Sequence, residues 1–205
     1  SGYRLAMMDL EIRGAGNVLG AEQHGHIEKV GYEMYCTLLK EAIAELNGEA
    51  LPENGSVEMI VKEDAYLPDD YVTSELARIR FYKKIAAITD EKGKNAILSE
   101  LEESFGMPPR QVHALVEIAL LKGLASSLPI KRIRVEKETA AITYTDADFM
   151  TSAAMRNALA LLSSDIREVG TSEGEIRYVV KGGLVSAKVR ILIKFVKALR
   201  GEAVT

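Results

Sequence analysis

The chain has 205 residues, with 26 basic and 30 acidic groups for a net charge of −4, 47% hydrophobic residues, one Cys and no Trp. That composition excludes wholesale disorder, and no uninterrupted apolar run approaches the roughly 18 residues that a membrane span needs. The lone Cys36 excludes an internal disulfide framework and a Cys-rich zinc site, and points to a reducing, cytoplasmic setting.

The mean charge hides an asymmetry. Residues 1–50 carry 4 basic and 8 acidic groups and residues 51–130 carry 9 and 13, whereas residues 131–205 carry 13 and 9. An acidic front and a basic back imply different contacts for the two ends. The chain opens Ser1-Gly2-Tyr3, a start that does not read as a signal or transit peptide, so none is expected. A start in mid-pattern leads us to expect a piece of something longer.

In chain order, Leu5, Met8 and Ile12 sit at helical spacing, and Gly14 stands where that helix stops. A glycine-rich loop follows through Gly20, then a polar stretch to His26. Tyr32, Tyr35, Leu39, Ile43 and Leu46 mark a second helix. Asn47 to Ser56 has turn chemistry and no apolar period, which predicts a linker. Val57 to Lys62 reads as a strand. Helices are predicted from about Glu75 to Thr89, Lys92 to Phe105 and Pro109 to Leu124. Strands follow at Lys131 to Lys137 and Ala140 to Thr145, turning at Glu138-Thr139. The pattern then gives a helix from about Met150 to Leu162, strands near Ile166 and from Ile176 to Val180, and a last helix from Leu184 to Arg200 after Gly182-Gly183. The order after residue 56 is that of an α+β fold, with several helices packed on a small sheet.

Candidate chemistry is sparse. Glycines 14, 16 and 20 miss the dinucleotide fingerprint, which needs its third glycine where Leu19 stands and a strand before the loop. His24 and His26 supply at most two metal ligands, and Cys36 lies on an amphipathic helix with no evident histidine partner. No G-x-x-x-x-G-K-[ST] occurs, so the chain has no P-loop and is expected neither to hydrolyse ATP nor to need a cofactor or metal of its own. On the last helix Arg190, Lys194 and Lys197 fall at i, i+4 and i+7, with Lys181, Lys188 and Arg200 nearby. Such a stripe fits a solvated helix face, or a docking face for phosphates or an acidic protein surface.

One string stands apart from composition: Asp9-Leu10-Glu11-Ile12-Arg13-Gly14-Ala15-Gly16-Asn17-Val18-Leu19-Gly20, followed by Gln23-His24-Gly25. It resembles the translocation (TRG) motif that follows the second motor domain in two bacterial families, the RecG fork-remodelling helicases and the Mfd transcription-repair coupling factors, with Val18 for the usual Leu. RecG resemblance would fade soon after the motif. Here Leu67-Pro68-Asp69-Asp70-Tyr71-Val72, Arg80-Phe81-Tyr82-Lys83-Lys84-Ile85 and Glu100-Leu101-Glu102-Glu103-Ser104-Phe105-Gly106 with Pro108-Pro109 resemble the Mfd carboxy-terminal domain. The family usually has Arg where Ser104 stands, and past residue 125 the similarity is general.

The Mfd resemblance implies two parts: residues 1–49 as the TRG tail of the second motor domain, and residues 50–205 as a carboxy-terminal regulatory domain. It implies that the motif, a helical hairpin and loop beside double-stranded DNA, converts ATP-driven closure into a step along the duplex. By motif position the coupling residues are Arg13 and Gln23, with Asp9, Gly14 and Gly16 beside them. An Arg13–Asp9 structural ion pair is the plainer alternative. The resemblance further implies that the regulatory domain docks on a UvrB-like module, hides the surface that recruits UvrA, and restrains the motor until stalled RNA polymerase is engaged. ATP and Mg would belong to the whole protein, and no membrane is involved. The basic face at Arg190, Lys194 and Lys197 is the candidate for docking, by inference from charge. The alternatives are a free-standing protein-interaction module and a fragment of a RecG-like helicase.

Overall fold

A computed structural model describes residues 57–205. The predicted elements before residue 57, the TRG string, His24, His26 and Cys36 lie outside the described residues. Those described divide into two compact units, one of residues 64–119 and one of residues 57–63 with 120–205.

The first unit is helical. Helix α1 (Glu75–Ala86) starts at Ser74, whose Oγ accepts from the Ala77 amide at 3.3 Å. It buries Arg78, Phe81, Tyr82 and Ile85, the i, i+3, i+4, i+7 stripe of an amphipathic helix. It ends at Ala86, earlier than the predicted Thr89. The Ala87 and Ile88 amides close i, i+3 bonds to the Lys84 and Ile85 carbonyls, and Asp90 already caps the next helix. Helix α2 (Glu91–Phe105) begins with the Gly93 amide donating to Asp90 Oδ1 at 2.7 Å. It stops at Gly106, whose φ of 83° favours a residue without Cβ.

Side chains from the resembling strings hold this unit together. The Tyr82 hydroxyl accepts from the Leu67 amide at 2.7 Å, pinning the loop that leads into Pro68. Tyr71 donates to the Gly106 carbonyl at 2.8 Å and meets the Phe105 ring edge-on, and Phe81 meets that ring from α1. Buried Arg78 donates from Nη1 to the Val72 carbonyl. Lys84 and Glu100 join α1 to α2 at 2.7 Å, a half-exposed pair of small energetic value. Ser104, where the family usually has Arg, is exposed.

Helix α3 (Arg110–Ala125) begins in the first unit and ends in the second. The second unit is built on a five-stranded sheet of order β1-β2-β3-β5-β4, with β1 (Glu58–Val61), β2 (Ile130–Val135), β3 (Thr139–Tyr144), β4 (Ile166–Ser172) and β5 (Glu175–Val180). The β1–β2 pair is parallel and the others are antiparallel. The β2–β3 hairpin turns at Lys137-Glu138, one residue before the predicted position. The Glu136 amide bonds the Thr139 carbonyl at 2.8 Å, which keeps β-branched Thr139 in the strand.

The predicted helix from about Met150 to Leu162 is found as α5 (Ala153–Leu161), starting three residues later because Ser152 caps it, and a single turn α4 (Ala147–Met150), capped by Asp146, precedes it. Helix α6 (Val185–Leu199) completes the unit.

The core lies on the face made by Met59, Ile133, Ile142, Ile176, Tyr178 and Val180, which the register places together across the strands. Helix α6 packs there, with the Phe195 and Tyr178 rings 5.4 Å apart edge to face. The Tyr178 hydroxyl pairs with that of Tyr144 at 2.9 Å and reaches Met155 Sδ on α5 at 3.7 Å. Burial raises the Tyr144 pKa well above its ordinary 10.0, aided by Tyr178 and Glu168, and burial likewise raises Tyr178. The unfolded chain therefore loses these protons first. The pair's stabilisation is intact below about pH 10 and is lost as pH climbs towards the folded values. Denaturation midpoints followed from pH 8 upward should fall above pH 10, and fall less in Tyr144→Phe. A wild-type midpoint that stays flat to about pH 11.5 would contradict this.

Candidate functional site

Helix α6 carries the described part of the predicted site. Its amino end has no side-chain cap, since Leu184 stands at that position. Lys188 does the anchoring instead: it is 3% exposed, and its ammonium donates to the Val180 carbonyl at 2.5 Å and the Gly182 carbonyl at 2.7 Å. Gly182 has φ 116°, and a Cβ there would sit 2.9 Å from that of Ala187, so the turn into α6 needs glycine. At the other end Arg200 Nη1 donates to the Leu124 carbonyl at 3.2 Å, and its Nε pairs with Glu202 at 2.8 Å.

These contacts revise the predicted basic stripe. Lys188 and Arg200 are taken up by contacts within the unit, the first tying α6 to the end of β5 and the second tying its carboxy end to Leu124 of α3. Burial of Val189, Leu192, Ile193, Val196 and Leu199 turns the opposite side outward, leaving Arg190 and Lys194 exposed and Lys197 half-buried. The structure thus brings these three onto one outer helix face, as their spacing predicted. Arg13, Gln23, Asp9, Gly14 and Gly16 lie outside the described residues.

An open groove of about 520 Å³ lies beside this face, lined by Ala154, Asn157, Leu161, Ala198, Arg200 and Glu202. Its titratable groups are Arg200 and Glu202, which pair with each other, so it offers no acid–base or nucleophilic set. Among the described residues no group of three His, Cys, Asp or Glu side chains could hold a metal ion, and no helix is long and apolar enough to cross a membrane.

Residues 61–155 match the family model of the TRCF domain. The chain carries the C-terminal TRCF domain of transcription-repair coupling factors. The transcription-repair-coupling factor of Bacillus subtilis is 37% identical over 147 residues, which is 71% of this chain and 12% of that protein. That of Borreliella burgdorferi is 36% identical over 148 residues, 72% of this chain and 13% of the relative. That of Staphylococcus haemolyticus reaches 43% over 124 residues, 60% and 11%. The chain therefore spans about an eighth of the length of these relatives.

A crystal structure of the C-terminal domain of transcription-repair coupling factor shares the fold at a TM-score of 0.64 and 24% identity, over 74% of this chain and 96% of that one. The TRCF family match ends within α5, so β4, β5 and the basic face of α6 lie beyond it. Sequence reasoning did not single out the exposed Arg167 and Arg177; alternation between buried Ile176 and Tyr178 turns Arg177 outward, and Arg167 lies on β4, which is exposed along most of its length.

Proposed function

We propose that this chain is the non-catalytic carboxy-terminal segment of an ATP-dependent double-stranded DNA translocase that displaces stalled RNA polymerase and recruits nucleotide excision repair. In this reading residues 1–49 couple ATP hydrolysis to stepping through Arg13 and Gln23, supported by Asp9, Gly14 and Gly16. Residues 50–205 form a regulatory domain that docks on the UvrB-like module of the same protein. That docking covers the surface for UvrA and restrains the motor. ATP and Mg would bind the motor domains of the whole protein, in the cytoplasm.

The observation that carries this reading is one chain holding both a TRG string at residues 9–25 and a TRCF domain at residues 61–155. A RecG-like fragment or a free-standing interaction module accounts for one of these features, not both. The exposed cations of α6 support a releasable interface, because surfaces that must open within a chain are polar.

The test is titration of residues 57–205 into the isolated UvrB-like module by calorimetry. Binding is expected at low ionic strength, weakened at least about tenfold by about 0.5 M salt, and weakened by Lys194→Glu. Absence of heat together with an unchanged elution volume at low salt would remove the docking role.

A further inference from the structure

On the sheet face turned away from α6 the charges are not evenly satisfied. The register lines up Ile60, Arg134, Ala141, Arg177 and Gly170 in one row across all five strands. In the neighbouring row Thr139, Val179 and Arg167 lie side by side. Towards the β1 end the arginines have carboxylates: Arg132 pairs with Glu58 at 2.6 Å, and Arg134 lies 3.6 Å from both Glu136 and Glu175.

Towards the β4 end they do not. Among the described residues, neither Arg167 nor Arg177 meets a carboxylate, although both are exposed. The Arg177 guanidinium lies along the β4 backbone, its Nη2 only 3.1 Å from where a Cβ on Gly170 would stand. Glycine at 170 thus leaves space for that side chain to extend towards the sheet edge. Val179, 40% exposed, stands opposite Arg167 in the register and two residues from Arg177 on the same side of β5. β4 is itself an edge strand, so this corner opens on solvent from the side as well as from above.

An exposed aliphatic side chain with two arginines as neighbours has the composition of a protein-recognition patch, where arginine is enriched. Guanidinium forks match carboxylates two bonds at a time. A nucleic-acid track fits less well. Glu58, Glu136 and Glu175 share this face and would repel a phosphate backbone running across it, and the face carries no aromatic side chain for base stacking. We propose that the β4–β5 corner of this outer sheet face docks an acidic protein segment, its carboxylates pairing with Arg167 and Arg177 and its apolar side chain covering Val179. This surface lies across the sheet from α6, so it is separate from the docking face at Lys194.

The experiment uses the 205-residue chain labelled with 15N and an alternating Glu-Leu peptide of about eight residues, titrated at about 50 mM salt. Amide shifts that saturate and cluster between residues 166 and 180 are expected. Affinity should fall at least about tenfold in the double variant Arg167→Gln/Arg177→Gln, the loss expected for two charge-assisted contacts. Lys194→Gln should leave it unchanged, and undisturbed amide dispersion in every variant verifies the fold. A duplex of about 20 base pairs is the second probe. The proposal is overturned if the duplex moves these amides in place of the peptide, if peptide shifts cluster on α6, or if the double variant binds as the wild type does.

Discussion

Arg13→Ala in the whole protein is expected to leave duplex binding and ATP hydrolysis largely intact while abolishing displacement of stalled RNA polymerase. A guanidinium can exchange partners between carboxylates and backbone groups as domains close, because its five donors stay charged and fixed in one plane. If Arg13 has the proposed coupling role, alanine would remove that contact and leave nucleotide binding by the motor domains in place. A loss of at least about tenfold in displacement rate, equivalent to about 1.4 kcal/mol in the barrier, is the expected size. The measurement is release of a halted elongation complex followed against time, with ATP hydrolysis assayed in the same samples. Normal displacement would leave the Arg13–Asp9 ion pair as the better account of that arginine. Lys at this position should recover little, since an ammonium lacks the fork.

Phe195→Ala is expected to lower the stability of the second unit by about 3–5 kcal/mol, the range for deleting a buried aromatic ring. Phe195 is fully buried, and its ring supports Tyr178, which in turn holds the Tyr144 hydroxyl and Met155. Truncation therefore opens a cavity under the sheet and loosens the contact of the Tyr178 hydroxyl with Met155 Sδ on α5. A drop of about 15 °C or more in the midpoint of that unit should follow. Urea denaturation read by circular dichroism checks it, and a change below about 1 kcal/mol would mean that Phe195 is not central to the core.

Local pattern was legible where burial follows one period. Ile176, Tyr178 and Val180 alternate as a half-buried strand should, and Leu192, Val196 and Leu199 keep helical spacing, so β5 and α6 stood out in the sequence. What local pattern could not carry is pairing at a distance. β1 joins β2 in parallel more than seventy residues later, and nothing within either segment specifies the partner. Lys188 illustrates a second limit. Its place in a basic run suggested solvent, yet the two carbonyls exposed by the turn at Gly182 draw it inward.

Among the site residues, the spacing of Arg190, Lys194 and Lys197 sufficed because a helix face is a local property. For Arg177 on the sheet, local alternation gives the outward side but not the neighbour, since Gly170 comes from a different strand and is placed beside it by the register. The TRG string is legible for a different reason: it rests on resemblance over many consecutive residues and not on periodicity. Its residues therefore need functional tests on the whole protein.

The proposed regulatory role makes one demand of the whole protein, namely that the TRCF domain holds the motor back. The direct measurement is steady-state ATP hydrolysis on duplex DNA, without RNA polymerase, by the whole protein with and without residues 57–205. Removal of the domain is expected to raise the rate several-fold. An unchanged or lower rate would contradict restraint by this domain.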